Sequence, residues 1–241
     1  MNQKISVCIA TYNGEKYIKE QLMSILPQLG VNDEIIISDD NSTDNTLNII
    51  KSINDNRIII VTNKGKKGYT PNFENAIKNA TGDFIFLSDQ DDVWIPAKVQ
   101  TCMEYFKSVD FIVSDATIID DKGNIIYNSF FSIRNPYSTL LGNIFKFGYL
   151  GCCMAFKRKI IKVALPFPKK HKLCTHDNWL FLVSKTYYNV KIVNEKLIKY
   201  RRHNNNISSG GIKNTTSLCF KVLYRLYLIY HLLLLINKNN H

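Results

Sequence analysis

The chain has 241 residues, 45% of them hydrophobic, and a formal net charge of +11. That length suits one large domain or one and a half, and the apolar content supports a substantial core, which excludes a disordered or fibrous chain. Six cysteines, at Cys8, Cys102, Cys152, Cys153, Cys174 and Cys219, show no CxxC or Cys/His spacing of a structural zinc site.

Met1-Asn2-Gln3-Lys4 leads straight into a strand pattern without the apolar stretch of a secretory signal. Ile5 to Ala10 reads as a buried parallel strand, followed by helical spacing over Tyr17, Ile18, Leu22, Ile25, Leu26 and Leu29. Glu34 to Ser38 is a second strand. Ser42-Thr43-Asp44 opens a helix carrying Leu47, Ile50 and Ile53. A third strand covers Ile58 to Val61. The next helix holds Phe73, Ala76, Ile77 and Ala80 and is stopped by Gly82. Phe84 to Leu87 is a fourth strand. This alternation implies βαβ units: an α/β fold with a Rossmann-like, mostly parallel central sheet and helices on both faces.

Beyond residue 110 the rhythm changes. Phe111 to Asp115 is a strand, Asp120 to Asn124 a hairpin turn, and Ile125 to Tyr127 the returning strand. Residues 131–150 are aromatic-rich and irregular. Cys152 to Phe156 reads as a strand, a helix begins near His176, and Val190 to Val193 and Lys196 to Tyr200 read as two short strands. Leu218 to Ile236 is rich in Leu, Ile and Tyr but interrupted by Lys221, Arg225 and His231, which makes it a poor membrane span. Two readings of it stay open: an amphipathic helix on an anionic membrane surface, or a helix packed on the protein's own core or on a second subunit. Cys8 and Cys102 lie in apolar patterns and read as reduced core residues, which fits a cytoplasmic setting. The positive charge points to an anionic partner: a phosphorylated small molecule, a membrane surface or nucleic acid. Its cations are dispersed and no nucleic-acid motif appears, so nucleic acid is the weakest of these.

The chemistry concentrates where strands end. Ser88-Asp89-Gln90-Asp91-Asp92-Val93-Trp94 places three carboxylates within four residues behind an apolar run. Their repulsion must be offset, and Mg²⁺ or Mn²⁺, which prefers hard oxygen ligands, offsets it well. The alternative is a solvated acidic turn before a helix, with Pro96 at its first position. Ala10 to Asn13, Asp39 to Ser42 and Lys64 to Tyr69 likewise follow strands, and ligands of open parallel sheets bind at those ends. No GxGxxG follows the first strand and no GxxxxGK[ST] occurs, which weakens dinucleotide-dehydrogenase and P-loop readings.

Three segments, Ser6 to Asn13, Ser38 to Asp44 and Ser88 to Trp94, resemble in order and spacing the signatures of family 2 inverting glycosyltransferases with the GT-A fold. The likeness covers about residues 3 to 210, and the SDQDDVW variant is similar to that of bacterial rhamnosyltransferase-like members. The resemblance implies that Thr11, Tyr12 and Asn13 line the nucleotide pocket, that Asp40 contacts the base with Asp39 beside it, and that Asp89 and Gln90 help hold the nucleotide sugar. Asp89 and Asp91 would be the metal-binding pair, and Asp92 would help position the ion. Thr175-His176-Asp177-Asn178-Trp179 resembles the family's acidic motif with His176 in place of the first acid, which implies that Asp177 is the general base; without that resemblance Asp177 reads first as a helix N-terminal carboxylate. Tyr200 to Asn206 resembles the late Tyr-Arg-x-His motif, which implies that Arg201 or His203 steadies the diphosphate, and Gly151 to Met154 resembles the acceptor side. The domain expectation is 1–212 for the GT-A unit (1–110 nucleotide-sugar half, 111–212 acceptor half) and 213–241 for a C-terminal amphipathic helix and tail. The implied reaction moves a sugar from a dTDP- or UDP-linked donor, rhamnose among the candidates, to a saccharide or lipid-linked acceptor at the inner face of the plasma membrane. A non-catalytic nucleotide- or membrane-surface-binding module with the same fold is the alternative.

Overall fold

The computed structural model describes residues 3–203 and 217–239. The strands are β1 (Ile5–Thr11), β2 (Glu34–Asp39), β3 (Ile58–Thr62), β4 (Phe84–Asp89), β5 (Val93–Trp94), β6 (Phe111–Ile119), β7 (Ile125–Tyr127), β8 (Met154–Lys157) and β9 (Val190–Arg201). The helices are α1 (Ile18–Ile25), α2 (Thr46–Ser52), α3 (Tyr69–Asn79), α4 (Lys98–Tyr105), α5 (Phe130–Arg134), α6 (Leu140–Phe145), α7 (Ile161–Ala164), α8 (His176–Tyr187) and α9 (Leu218–Asn239). Together they form the α/β fold expected, with helices flanking one sheet.

The sheet runs β3-β2-β1-β4-β8-β6-β9-β5, with β7 beside β6. β1, β2, β3 and β4 are mutually parallel, because a helix between each consecutive pair returns the chain to the same edge. Beyond β4 the pairing turns mixed: β8 is antiparallel to β4 and β6, while β9 is parallel to β6 and antiparallel to β5. From β1 the chain builds outward through β2 and β3, then crosses to the other side for β4, so the switch point lies between β1 and β4. β1, β2 and β4 are almost wholly buried, which is why they read as unbroken apolar runs.

Several local expectations are adjusted. The two short strands before residue 200 are one strand, β9. The register slips opposite Asp115, where Val193 and Lys196 become consecutive partners and Asn194-Glu195 bulge out. The 131–150 region holds the short helices α5 and α6, each capped by a side chain, Ser129 and Thr139. Helix α4 begins at Lys98, two residues after Pro96. Gly82 does not cap α3, which ends at Asn79; a Cβ there would lie 2.6 Å from the Ser6 amide nitrogen, so close strand approach requires the glycine. Cys8 and Cys102 are buried thiols, as expected.

The amino ends of the parallel strands are held by Glu34, which is 4% exposed. Its carboxylate accepts hydrogen bonds from Ser6 Oγ (2.6 Å), Lys4 Nζ (2.6 Å) and the Thr81 amide (2.6 Å), and Ser6 Oγ accepts in turn from the Gly82 amide (2.7 Å). Burial opposes its ionisation, but the bonds from Lys4, Ser6 and Thr81 outweigh that and hold the carboxyl down at about 2. A folded-state pKa below the unfolded one stabilises the fold above the unfolded pKa and is lost as pH falls through the folded value. Glu34→Gln should therefore cost at most about 3 kcal/mol near neutrality, and the difference from the parent should shrink between about pH 4 and pH 2; urea melts across that window check it.

Candidate active site

At the opposite, carboxyl ends of the strands, Ala10 pairs with Asp89 and Thr11 with Asp39, so the residues after β1, β2 and β4 lie side by side. Asp39 is buried and accepts from the Ser42 amide (2.9 Å) and Ser42 Oγ (2.5 Å), an Asx turn that shapes its own loop. Asp40 is buried too, and reaches across to the loop after β3: Asn63 Nδ2 donates to one oxygen (2.9 Å) and the Gly68 amide to the other (2.8 Å). Gly68 has φ +121, a conformation that favours glycine. Asn13, at φ +48, accepts from the Thr43 amide through Oδ1 (2.8 Å), and its own amide donates to Ser42 Oγ (2.9 Å), which joins the loops after β1 and β2. Thr11 is buried, while the Tyr12 ring is 44% exposed over this ridge. Gln90 ties β4 to β1: its Oε1 accepts from Thr11 Oγ1 (2.7 Å) and the Tyr12 amide (2.9 Å), and Nε2 donates to the Tyr12 carbonyl (3.1 Å).

The acidic run after β4 spans two halves of the sheet, because Val93-Trp94 pairs with β9 at Lys199 and Ile198. The ligand atoms of Asp89, Asp92 and Cys152 all lie within 4.8 Å of one another. Burial first, then repulsion from Asp91 and Asp177, pushes Asp89 up to about 7. Asp92, 1% exposed, is pushed well up by burial and by Asp91 and Asp89. Its Oδ1 accepts from the Arg201 amide (3.0 Å), whereas Oδ2 is buried with no donor among the described residues. Asp91 Oδ2 is 2.8 Å from His203 Nε2, and the His203 ring stacks on Tyr17 at 4.9 Å between centroids. Beneath the cluster the fully buried Lys98 donates to the Cys152 carbonyl (2.9 Å) and lies 4.3 Å from the Trp94 ring centroid, and its charge partly offsets Asp89. Burial holds the Cys152 thiol protonated, so the donors this cluster offers a metal are carboxylate oxygens with an imidazole nearby. That donor set, with one orphaned oxygen and carboxyl pKa values raised by crowding, fits a hard divalent cation such as Mg²⁺ or Mn²⁺.

Arg201 is 2% exposed and extensively engaged: Nε donates to the Asp91 carbonyl (2.8 Å), Nη1 to the Asp121 carbonyl (3.2 Å) and Nη2 to Glu20 (2.7 Å). Its guanidinium orients the acidic run. Of the late motif, Asn204 to Asn206 lie outside the described residues.

Asp177 occupies the first turn of α8. One of its oxygens accepts from Thr175 Oγ1 and from the Asn178 amide (2.8 Å). Its charge acts on Asp89 and on Tyr69, whose hydroxyl is raised to about 12 by burial, then by Asp177 and Asp89. Residues 88 positions apart in sequence therefore share one electrostatic neighbourhood. Gly151 permits this closeness: a Cβ there would meet His176 Nε2 at 2.6 Å and Asp177 Cβ at 3.3 Å. His176 is buried and stacked on Phe73 at 4.2 Å.

The structure thus brings Asp89, Asp91, Asp92, Asp177 and His203 to one region, with Thr11, Asp39 and Asp40 adjoining it. Sequence reasoning missed Cys152 as a neighbour of the acids, Lys98 beneath them and Tyr69 between Asp89 and Asp177. No short-range pattern marks any of the three, since their partners are distant in sequence.

The family model for glycosyl transferase family 2 matches residues 6–164. Among curated proteins, the chain is 31% identical over 214 residues to the UDP-Glc:alpha-D-GlcNAc-diphosphoundecaprenol beta-1,3-glucosyltransferase WfgD of Escherichia coli, covering 87% of this chain and 81% of that one. It is 31% identical over 234 residues to the dTDP-rhamnosyl transferase RfbG of Shigella flexneri, covering 90% and 77%. Among solved structures it is similar to S. aureus TarS 1–349 in complex with UDP-GlcNAc, with TM-score 0.68 and 21% identity; the match covers 84% of this chain and spans 60% of that one. It is also similar to glucosyl-3-phosphoglycerate synthase from Mycobacterium tuberculosis in complex with Mn²⁺, UDP and glucosyl-3-phosphoglycerate, with TM-score 0.61 and 18% identity over 84% and 73%. The fold is that of the GT-A glycosyltransferases.

Because burial and the neighbouring Asp91 and Asp89 disfavour the charged form of Asp92 in the ion-free protein, Asp92→Asn should raise the melting temperature measured in chelator. The same variant should gain less than the parent when Mn²⁺ is added.

Proposed function

The chain belongs to glycosyl transferase family 2, and we propose that it is a metal-dependent inverting glycosyltransferase that uses a UDP- or dTDP-linked sugar and a lipid-linked saccharide acceptor. The observation that carries this reading is the convergence of Asp177 on the acidic run: its charge contributes to raising Asp89, although it stands on a separate element. A carboxylate acting beside a cation-bridged diphosphate needs that juxtaposition, and a protein that only bound nucleotide would not.

Residues 1–110 form the donor half in this reading. Tyr12 offers an exposed aromatic face to the base, and Asp40 fixes the loop over 63–68 that closes the base pocket while its remaining lone pairs accept from the base. Thr11, Asn13 and Asp39 shape the rest of that pocket, and Gln90 locks its floor to β4. Asp89 and Asp91 would hold the ion, with His203 beside Asp91 and the Asp92 carboxylate within reach of Asp89. Arg201 positions the acidic run. When bound, Mg²⁺ or Mn²⁺ supplies positive charge that stabilises the departing diphosphate. Residues 111–203 belong to the acceptor half and helix α9 is the C-terminal segment; the expected boundary at 212/213 lies outside the described residues.

Asp177 takes the proton from an acceptor hydroxyl as that oxygen bonds to the anomeric carbon. The bond from that carbon to the diphosphate oxygen breaks on the opposite face, which inverts the configuration. One oxygen of Asp177 is held by Thr175 and the Asn178 amide, which leaves the other to act as the base. The donors named for WfgD and RfbG support a UDP- or dTDP-linked sugar, and the diphosphoundecaprenol of WfgD supports a lipid-linked acceptor at the cytoplasmic face of a membrane.

Asp177→Asn should lower turnover by about 10²–10⁴-fold while leaving intact the thermal stabilisation by UDP or dTDP with Mn²⁺. Asp91→Ala should abolish that stabilisation. Full turnover by Asp177→Asn, measured as sugar transfer or donor hydrolysis, would remove the base assignment.

A further inference from the structure

Helix α9 has an apolar face that no other described residue covers. Among the described residues it is the one helix long and apolar enough to cross a membrane, over Leu218–Lys238, with a mean hydropathy of 1.6. Leu228 and Leu232 are buried against the body. Leu218, Val222, Leu226, Ile229 and Leu233 recur at spacings of three and four, share the outer face, and are each at least 40% exposed. Leu141 and Phe145 of α6 stand beside it, 76% and 61% exposed, and Arg225 joins the two helices by donating to the Phe145 carbonyl (2.9 Å) above that ring. A continuous exposed apolar surface of this kind marks an interaction site.

Charge identifies the occupant. Residues 122–241 hold 20 Lys and Arg against two Asp and Glu, whereas residues 1–121 hold 11 against 18. Helix α9 contains no acidic residue. Lys221 and Arg225 flank its outer face, and the exposed lysines 169, 170 and 172 adjoin it: the Lys170 amide donates to the Tyr227 hydroxyl (3.0 Å). A second copy docked through this face would set cation against cation, while anionic headgroups would neutralise them.

The mode of contact also follows. A spanning helix is surrounded by lipid for about 20 residues. Here mid-helix positions are committed to the body: Leu228, Leu232, Tyr227 and Tyr224, whose hydroxyl accepts from Asn178, the residue after Asp177. Helix α9 is fixed sideways, so its outer face can enter only the headgroup and upper acyl region.

We infer that α9, with α6 and the 169–172 loop, is an interfacial docking face for an anionic bilayer, which sets the Asp177 end of α8 at the membrane surface. This rests on the lipid-linked acceptor reading, because it brings the acceptor side of the cleft to the plane where a lipid-anchored saccharide sits.

The test uses the full chain with phosphatidylcholine vesicles, with and without phosphatidylglycerol. Co-sedimentation should appear with the anionic vesicles and be reversed by high salt. Leu226→Glu combined with Leu233→Glu, both on the exposed face, should abolish it without changing the melting temperature or the thermal shift with UDP and Mn²⁺. Lys221→Gln and Lys238→Gln should each weaken it by about fivefold. Equal binding to neutral vesicles, binding that survives the Leu226 and Leu233 changes, binding that resists salt and alkaline extraction, or a dimer by light scattering that those changes dissolve would each overturn the inference. The nucleotide thermal shift reports on the catalytic reading separately: its retention with no vesicle binding removes only the docking face, and its loss with vesicle binding intact removes only the catalytic reading.

Discussion

The structure is organised around an unfavourable interaction, the mutual repulsion of carboxylates gathered at the end of a buried strand. Asp89, Asp91 and Asp92 follow β4, and Asp177 adds a fourth negative charge from α8. Burial and this crowding raise both Asp89 and Asp92. Such an arrangement survives only if its surroundings over-determine it. Here Arg201 grips the backbone of the run, Lys98 lies beneath it, and Gln90 fastens it to β1. Trp94, held by its indole N–H on Ser88 Oγ (3.0 Å), carries the chain onward to β9. The negative charge these groups leave uncompensated is what a divalent cation would balance, so the local instability and the capacity to hold an ion have one origin.

The two ends of the parallel strands contrast sharply. At the amino ends, Glu34 is also a buried carboxylate, yet donors from Lys4, Ser6 and Thr81 satisfy both its oxygens, and its pKa falls. At the carboxyl ends, the carboxylates are under-satisfied and their acidity weakens. One end stabilises the fold and the other stores the capacity to bind. That division follows from topology: parallel strands send all their helix-bound loops to the same side, and the reversal between β1 and β4 opens a crevice there.

The acceptor side depends on contacts of another kind. Gly151 lets His176 and Asp177 approach the turn above Cys152, and Asn178 in turn bonds Tyr224 of α9. The helix that carries the large exposed apolar face is therefore two side chains away from the candidate base. Sequence alone left α9 open between packing and a membrane surface, because nearly all its circumference is apolar. The fold resolves the packed part, a narrow edge at Leu228 and Leu232, and leaves the remainder bare.

Much was legible along the chain. The four parallel strands announced themselves as apolar runs, since strands covered on both faces lose the usual alternation. The Asp89 to Asp92 run stood out because crowding like charges at the end of a buried strand serves no folding purpose, and Asp39-Asp40 and Asp177 stood out through the motifs around them. Other features were illegible for an equally physical reason. A two-residue strand at Val93-Trp94 has no periodicity to detect, and the bulge at Asn194-Glu195 hides the continuity of β9. Gly82 resembled a helix stop and is a site of strand contact. The local sequence determined the parallel half, its loops and the chemical types gathered there, because those depend on neighbours within one element. Only the tertiary structure decided that Asp92 and Cys152 crowd Asp89, that Asp91 turns to His203, and that Asp177 joins them, because those juxtapositions arise from sheet pairing across 60 to 110 residues, which no local pattern encodes.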